Sequence, residues 1–202
     1  MSYFSDVAER VPAVLKTRGG ALALVAALQL GVLGWIVAER VRLLAGGREI
    51  VLPIVPVDPR DLFKGDYVRL AYPISTLPAG APETTAGTTP AAKKTPVFVT
   101  LKPEADGGWS VASTSRKFPT QVAGDQIVLR GFRDVDRWRS NGPVRVTYGL
   151  ERYYVPEGKG PALEQLARDK KLAAIVAVDG RGNAAIKGLS ADGKKIYDEP
   201  LF

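Results

Sequence analysis

The side chains that most often do chemistry are missing from this chain. It has no histidine and no cysteine. That excludes thiolate nucleophiles, disulfides, Ser-His-Asp triads and any histidine or thiolate metal ligand. What remains for catalysis is a serine activated by a desolvated lysine, with Ser75 or Ser113 as nucleophile, or a pair of converging carboxylates. Asp58, Asp61 and Asp66 cluster in sequence. However, Asp58 precedes Pro59 as a helix N-cap would, and Asp66 belongs to a turn. No lysine is spaced convincingly against either serine. Asp179 and Asn183 bracket an Asp-Gly-Arg-Gly-Asn run. It lacks the further acids of a calcium loop and reads as a hairpin turn. No catalytic residue, metal site or cofactor is assigned. The side chains with most to offer are tyrosines and arginines, which carry interface energy well. Tyr67 and Arg69 share one face of a strand, and with Tyr153 they form the candidate interaction surface.

Charge does not add a nucleic-acid function. The chain carries a net +7. Residues 1–48 hold six basic and three acidic side chains, and the rest hold 22 and 18. The densest basic stretch, Arg130 to Arg152, is interleaved with Asp134, Asp136 and Glu151. That is the pattern of a solvated face, and no nucleic-acid partner is expected.

The elements that must hold these residues begin with a membrane segment. Residues 20–38 contain no charge, and Gln29 is their single polar side chain. At about 1.5 Å per residue they nearly span the roughly 30 Å hydrocarbon core. Trp35 lies near the end, where an indole suits the lipid–water interface. The run exceeds the 7–15 apolar residues of a cleaved signal, so a retained single-pass anchor in the lipid bilayer is expected. Ala23, Ala27 and Gly31 form a small-residue stripe that could pack on another helix. Basic flanks on the two sides balance, so positive-inside counting leaves orientation open. The short tail before the anchor makes an extracytoplasmic domain the default.

The organisation that follows is a tail over 1–19, the anchor over 20–38, a linker over 39–49 and a β-rich domain over 50–202. Residues 50–57 read as an edge strand, because Pro53 and Pro56 cannot donate ladder hydrogen bonds. Residues 67–72 read as a strand with Val68, Leu70 and Tyr72 facing the core. Residues 78–96, rich in Pro, Thr, Ala and Gly, lack the apolar groups to offset ordering and read as a flexible loop. Further strands are expected at 97–101, 109–113, 126–131 and 144–148. A helix is expected at 161–171 and a terminal hairpin at 172–178 and 184–189, with a last strand at 195–197. The fold class is therefore mainly β with a minor α+β character: one anchor helix, one short helix, and a sandwich or barrel-like domain. A Gly-Asp pair before a strand occurs at Gly65 and again at Gly124. A shared turn-plus-strand pattern or two related units would both account for it.

The run Gly65-Asp66-Tyr67-Val68-Arg69-Leu70-Ala71-Tyr72 resembles the signature of the bacterial GDYXXLXY protein family. The five fixed letters are Gly65, Asp66, Tyr67, Leu70 and Tyr72. The lead-in from Val57 to Phe63 and a second landmark from Tyr148 to Gly158 are similar to that family as well. The resemblance implies a membrane-anchored protein without an assigned activity, in a bacterial inner membrane, with a multi-pass membrane protein as partner. The expected function is a single-pass, extracytoplasmic, non-enzymatic binding or accessory module for a membrane protein or envelope component. The alternative is a membrane-anchored Ser-Lys hydrolase using Ser75.

Overall fold

In the computed structural model, the residues described are 18–55, 67–77, 94–105, 107–134, 144–156 and 158–198. The chain divides into two compact units, Met1–Arg42 and Leu43–Phe202.

A single long helix, α1, runs from Arg18–Gly46. From Leu22 to Val37 its large apolar side chains are outward, with Trp35 69% exposed. Its length and composition are sufficient to cross a membrane. The helix does not stop where the apolar run stops. Residues 39–46, expected as linker, are helical. Glu39, Arg40 and Arg42 are good helix formers, so charge ends the lipid-compatible stretch without ending the helix. Gly46-Gly47 does break it. A Cβ on Gly47 would lie 2.6 Å from Leu43 O and 3.0 Å from Val178 N, so only glycine fits this exit.

Among its described residues, unit Leu43–Phe202 holds eleven strands. β1 (Arg48–Pro53), β9 (Leu172–Val178), β10 (Ala184–Ala191) and β11 (Lys194–Asp198) form an antiparallel sheet in the order β1-β9-β10-β11. β1 is an edge strand, where Pro53, which has no N–H to donate, is tolerated. The second sheet has the order β3-β7-β6-β4-β5, from Thr76–Leu77, Val144–Thr147, Ile127–Asp134, Lys94–Pro103 and Trp109–Ser115. Its β5 edge comes round against the 3₁₀ turn Pro73–Ser75, giving a nearly closed, barrel-like sheet. The short helix α2 (Gly160–Arg168) buries Leu163 and Ala167 and packs on β2 and β9.

β4 begins at Lys94, so the last three residues of the expected loop are strand. Pro96 is tolerated there because β5 pairs with β4 only from Phe98 onward. Pro96 therefore faces a neighbour on the β6 side alone. The rest of that loop, with Asp58 and Asp61, lies outside the described residues.

One ribbon joins the two sheets. β2 (Tyr67–Arg69) pairs with β8 (Arg152–Tyr154), and β3 pairs with β7. Partner numbers fall one for one from Tyr67–Tyr154 to Arg69–Arg152. The same count, carried across the gap, reaches Thr76–Arg145 and Leu77–Val144. The run from Tyr67 to Leu77 and the run from Val144 to Tyr154 are thus one antiparallel pair, interrupted in the middle. Val55 bridges to Ala71, which attaches this ribbon to the end of β1.

Candidate functional site

The interruption in the ribbon is where the signature sits. Pro73 fixes the first position of the 3₁₀ turn and takes the chain out of the ladder. Opposite it, Gly149 has φ +80, which opens the partner strand by the same number of residues. Buried backbone groups freed in this way need partners. Two tyrosines supply them. Tyr72 Oη donates to Leu150 O at 2.8 Å, and Tyr148 Oη donates to Ile74 O at 2.7 Å. Each ring crosses from its own strand to a carbonyl on the other, so the two bonds form a reciprocal pair of pins. The Glu151 carboxylate closes the bend by accepting from Tyr148 N at 2.5 Å. Burial, and secondarily the Glu151 charge, pushes both phenols well above the ordinary tyrosine range. They remain neutral donors.

Val68, Leu70 and Tyr72 are all buried, as the alternation requires. Leu70 N donates to Glu151 O at 3.0 Å, continuing the β2–β8 ladder one step. Leu70 and Tyr72 are therefore core and pin residues. Gly65 and Asp66 lie outside the described residues. Tyr67 is on β2 in register with Tyr154.

The candidate surface changes its membership. Tyr153 is buried at 6% exposure, because its register partner is the core residue Val68 and the two share the inward face. The outward positions of the ribbon are Arg69, Arg152 and Tyr154, with Tyr154 74% exposed. Arg69 stands directly opposite Arg152. Like charges placed so are unfavourable for strand pairing on their own.

Ser75 is 9% exposed, and its Oγ has no hydrogen-bond partner among the described residues. A nucleophilic serine needs a base within hydrogen-bond reach, and none of the described residues supplies one here. Ser113 lies on the outer strand β5. Asp179 uses both carboxylate oxygens inside its turn. Oδ1 accepts from Arg181 N and Asn183 N, each at 2.8 Å, and Oδ2 accepts from Asn183 Nδ2 at 2.8 Å.

Two further residues matter to the architecture and escape sequence reasoning. Arg48, the first residue of β1, donates to the carbonyls of Gly124, Asp125 and Gln126 at 2.9, 3.0 and 3.3 Å. Its guanidinium also lies 5.8 Å from the Trp109 ring. Arg130 N donates to Gly182 O at 2.8 Å. These contacts fasten the first sheet to the entry of β6. The second Gly-Asp turn is thus a docking point for Arg48, a role visible only once the fold is known.

An apolar helix long enough to span a bilayer, followed by a β-rich, barrel-like unit, fits a membrane-anchored β-domain. Within that class, the chain belongs to the GDYXXLXY family: the family model described as GDYXXLXY protein matches residues 29–189, most of the chain. No curated protein and no solved structure matches it.

Proposed function

We propose that the protein is a single-pass anchored accessory module, with its β-domain on the extracytoplasmic side of a bacterial inner membrane. It would bind a membrane protein or an envelope component without catalysing a reaction. The observation that carries this reading is the outward face of the β2–β8 ribbon, where Arg69 opposes Arg152 beside the exposed Tyr154. Exposed guanidinium and phenol groups on one strand face can meet an anionic or carbonyl-rich partner surface. Arginine and tyrosine are also the side chains that dominate interface energetics. Anchoring would confine the encounter to a membrane surface and raise the effective concentration of the partner. The Ser75 Oγ has no hydrogen-bond partner among the described residues, which gives the hydrolase alternative no support.

The test is in-cell crosslinking of the full chain followed by mass spectrometry, with Arg69→Ala/Tyr154→Ala as the comparison. A recurrent partner whose recovery falls at least about tenfold in the variant is expected, since two interface anchors together contribute more than about 1.4 kcal/mol. Equal recovery from a variant that melts normally would reject this surface. Protease access in spheroplasts tests the side of the membrane, and a protected domain would overturn the extracytoplasmic assignment.

A further inference from the structure

The outer face of the second sheet carries a different chemistry from the ribbon. Alternation along β6 turns Arg130 and Phe132 outward while Leu129, Gly131 and Arg133 face in. Register places Phe98 of β4 beside Arg130, Pro96 beside Phe132, and Thr147 of β7 on the other side of Phe132. Arg145, two residues from Thr147, is exposed on the same face. The row ends where Lys94 pairs in register with Asp134.

These side chains are ordered among themselves. The Arg130 guanidinium lies 5.6 Å from the Phe132 ring centroid. Phe98 and Phe118 meet edge to face, with centroids 5.6 Å apart. Even so, Phe118 is 39% and Phe132 36% exposed. The result is a flat strand face that mixes partly open aromatic rings with arginines. Among the described residues, no ion pair is formed by Arg130 or Arg145.

We infer that this face of β4, β6 and β7 docks on an anionic phospholipid surface, with Arg130, Phe132 and Arg145 at its centre. Aromatic rings and arginines together prefer the headgroup level of a bilayer, where one end of the contact is apolar and the other wet. Each basic side chain held near an anionic leaflet contributes about 1 kcal/mol. Three such chains, Lys94, Arg130 and Arg145, make a weak site in free solution. A domain on the same chain as a membrane-spanning helix needs no more than that, because tethering supplies a millimolar-scale effective concentration. The inference does not rest on the Arg69–Arg152 surface.

The test uses the full chain in vesicles. Because the sequence contains no cysteine, Thr147→Cys offers a single thiol beside Phe132 for a polarity-sensitive fluorophore. Lys194→Cys on β11 serves as the reference position. Vesicles of phosphatidylcholine alone are compared with an equal mixture of phosphatidylcholine and phosphatidylglycerol. A several-fold rise and blue shift at position 147 with phosphatidylglycerol is expected, with no change at position 194. The response should disappear in about 1 M salt, where the Debye length falls to about 3 Å. It should also disappear in Arg130→Glu/Arg145→Glu. If that variant fails to fold, the salt reversal of the parent chain decides. Identical spectra in the two lipids overturn the inference, as does an equal response at position 194, which would mean diffuse attraction. A larger response to soluble polyglutamate in phosphatidylcholine vesicles also overturns it, in favour of an acidic polypeptide ligand.

Discussion

The hydroxyls of Tyr72 and Tyr148 decide whether the interrupted ribbon holds together. Each ring is buried, and each Oη meets a backbone carbonyl of the opposite run. Removing one hydroxyl leaves a buried carbonyl without its donor, which typically costs about 1–3 kcal/mol. Tyr72→Phe and Tyr148→Phe should each lower stability by that amount in urea titrations of the detergent-solubilised chain. The double variant should show a coupling above about 0.5 kcal/mol, because both pins hold the same gap. The phenols also impose an alkaline limit. Burial raises their pKa values in the folded chain above the ordinary value of about 10. Their contribution is therefore complete below about pH 10 and is lost as pH rises beyond it, since the unfolded chain then holds fewer protons than the native one. The slope reaches about 1.4 kcal/mol per pH unit for each tyrosine. Stability should stay level to about pH 9 and then fall, and Tyr72→Phe/Tyr148→Phe should fall less steeply; equal slopes would remove the phenols from the account. The inward set Val68, Leu70 and Tyr72 is legible from alternation alone. The destination of the Tyr72 hydroxyl is not, because it depends on a strand nearly eighty positions away.

Elements report the same division between local and distant information. The turn into the last strand is legible from Asp192-Gly193, which supply its two positive-φ positions (φ 49 and 77). Helix α2 is legible from Pro161 and the Leu163–Ala167 stripe. Its end is less so. Lys170 sits in the left-handed region at φ 57, where its N–H reaches Ala167 O at 3.1 Å and Lys171 N reaches Leu166 O at 2.9 Å. That is the Schellman closure with a lysine in the place glycine favours. Lysine at this position costs about 1 kcal/mol of backbone strain. Lys170→Gly should raise stability by about 0.5–1 kcal/mol, read as a higher Tm, and an unchanged or lower Tm would mean that the Lys170 side chain contributes more than its backbone costs. The strand expected over residues 67–72 is split for a reason outside its own composition. Val68 to Tyr72 alternates well enough, but ladder bonds persist only through Leu70 before Pro73 turns the chain and Gly149 yields opposite it. Alternation says only that Tyr153 and Tyr154 face opposite ways. Which of them is buried follows from pairing with Val68.

At the scale of the whole molecule, the helix and the β-unit obey different solvents. The β-unit buries its apolar side chains around Tyr72, Leu77, Leu129 and Leu150. The helix does the reverse. Within Gly19–Gly46 the most apolar stretch holds no buried residue. Leu22, Leu28, Leu30 and Trp35 are all more exposed than any core side chain. An aqueous helix of that composition would be an aggregation hazard, because contiguous apolar surface of this extent demands a cover. A bilayer provides one, since the helix satisfies its own backbone hydrogen bonds. The composition of the stretch makes the span legible in sequence, whereas its helical continuation to Gly46 depends on helix propensity outside lipid. If the bilayer is the cover, the full chain should remain with membranes through alkaline carbonate washing and retain the mass of all 202 residues. Leu30→Arg places a guanidinium near the middle of the span, at a cost of about 2.5–3.5 kcal/mol on insertion scales. That variant should release a substantially larger fraction into the carbonate supernatant, whereas the same change at Arg42→Lys, beyond the uncharged run, should release no more than the parent chain. Release of a shortened parent chain, cut after the apolar stretch, would identify the segment as a cleaved signal instead.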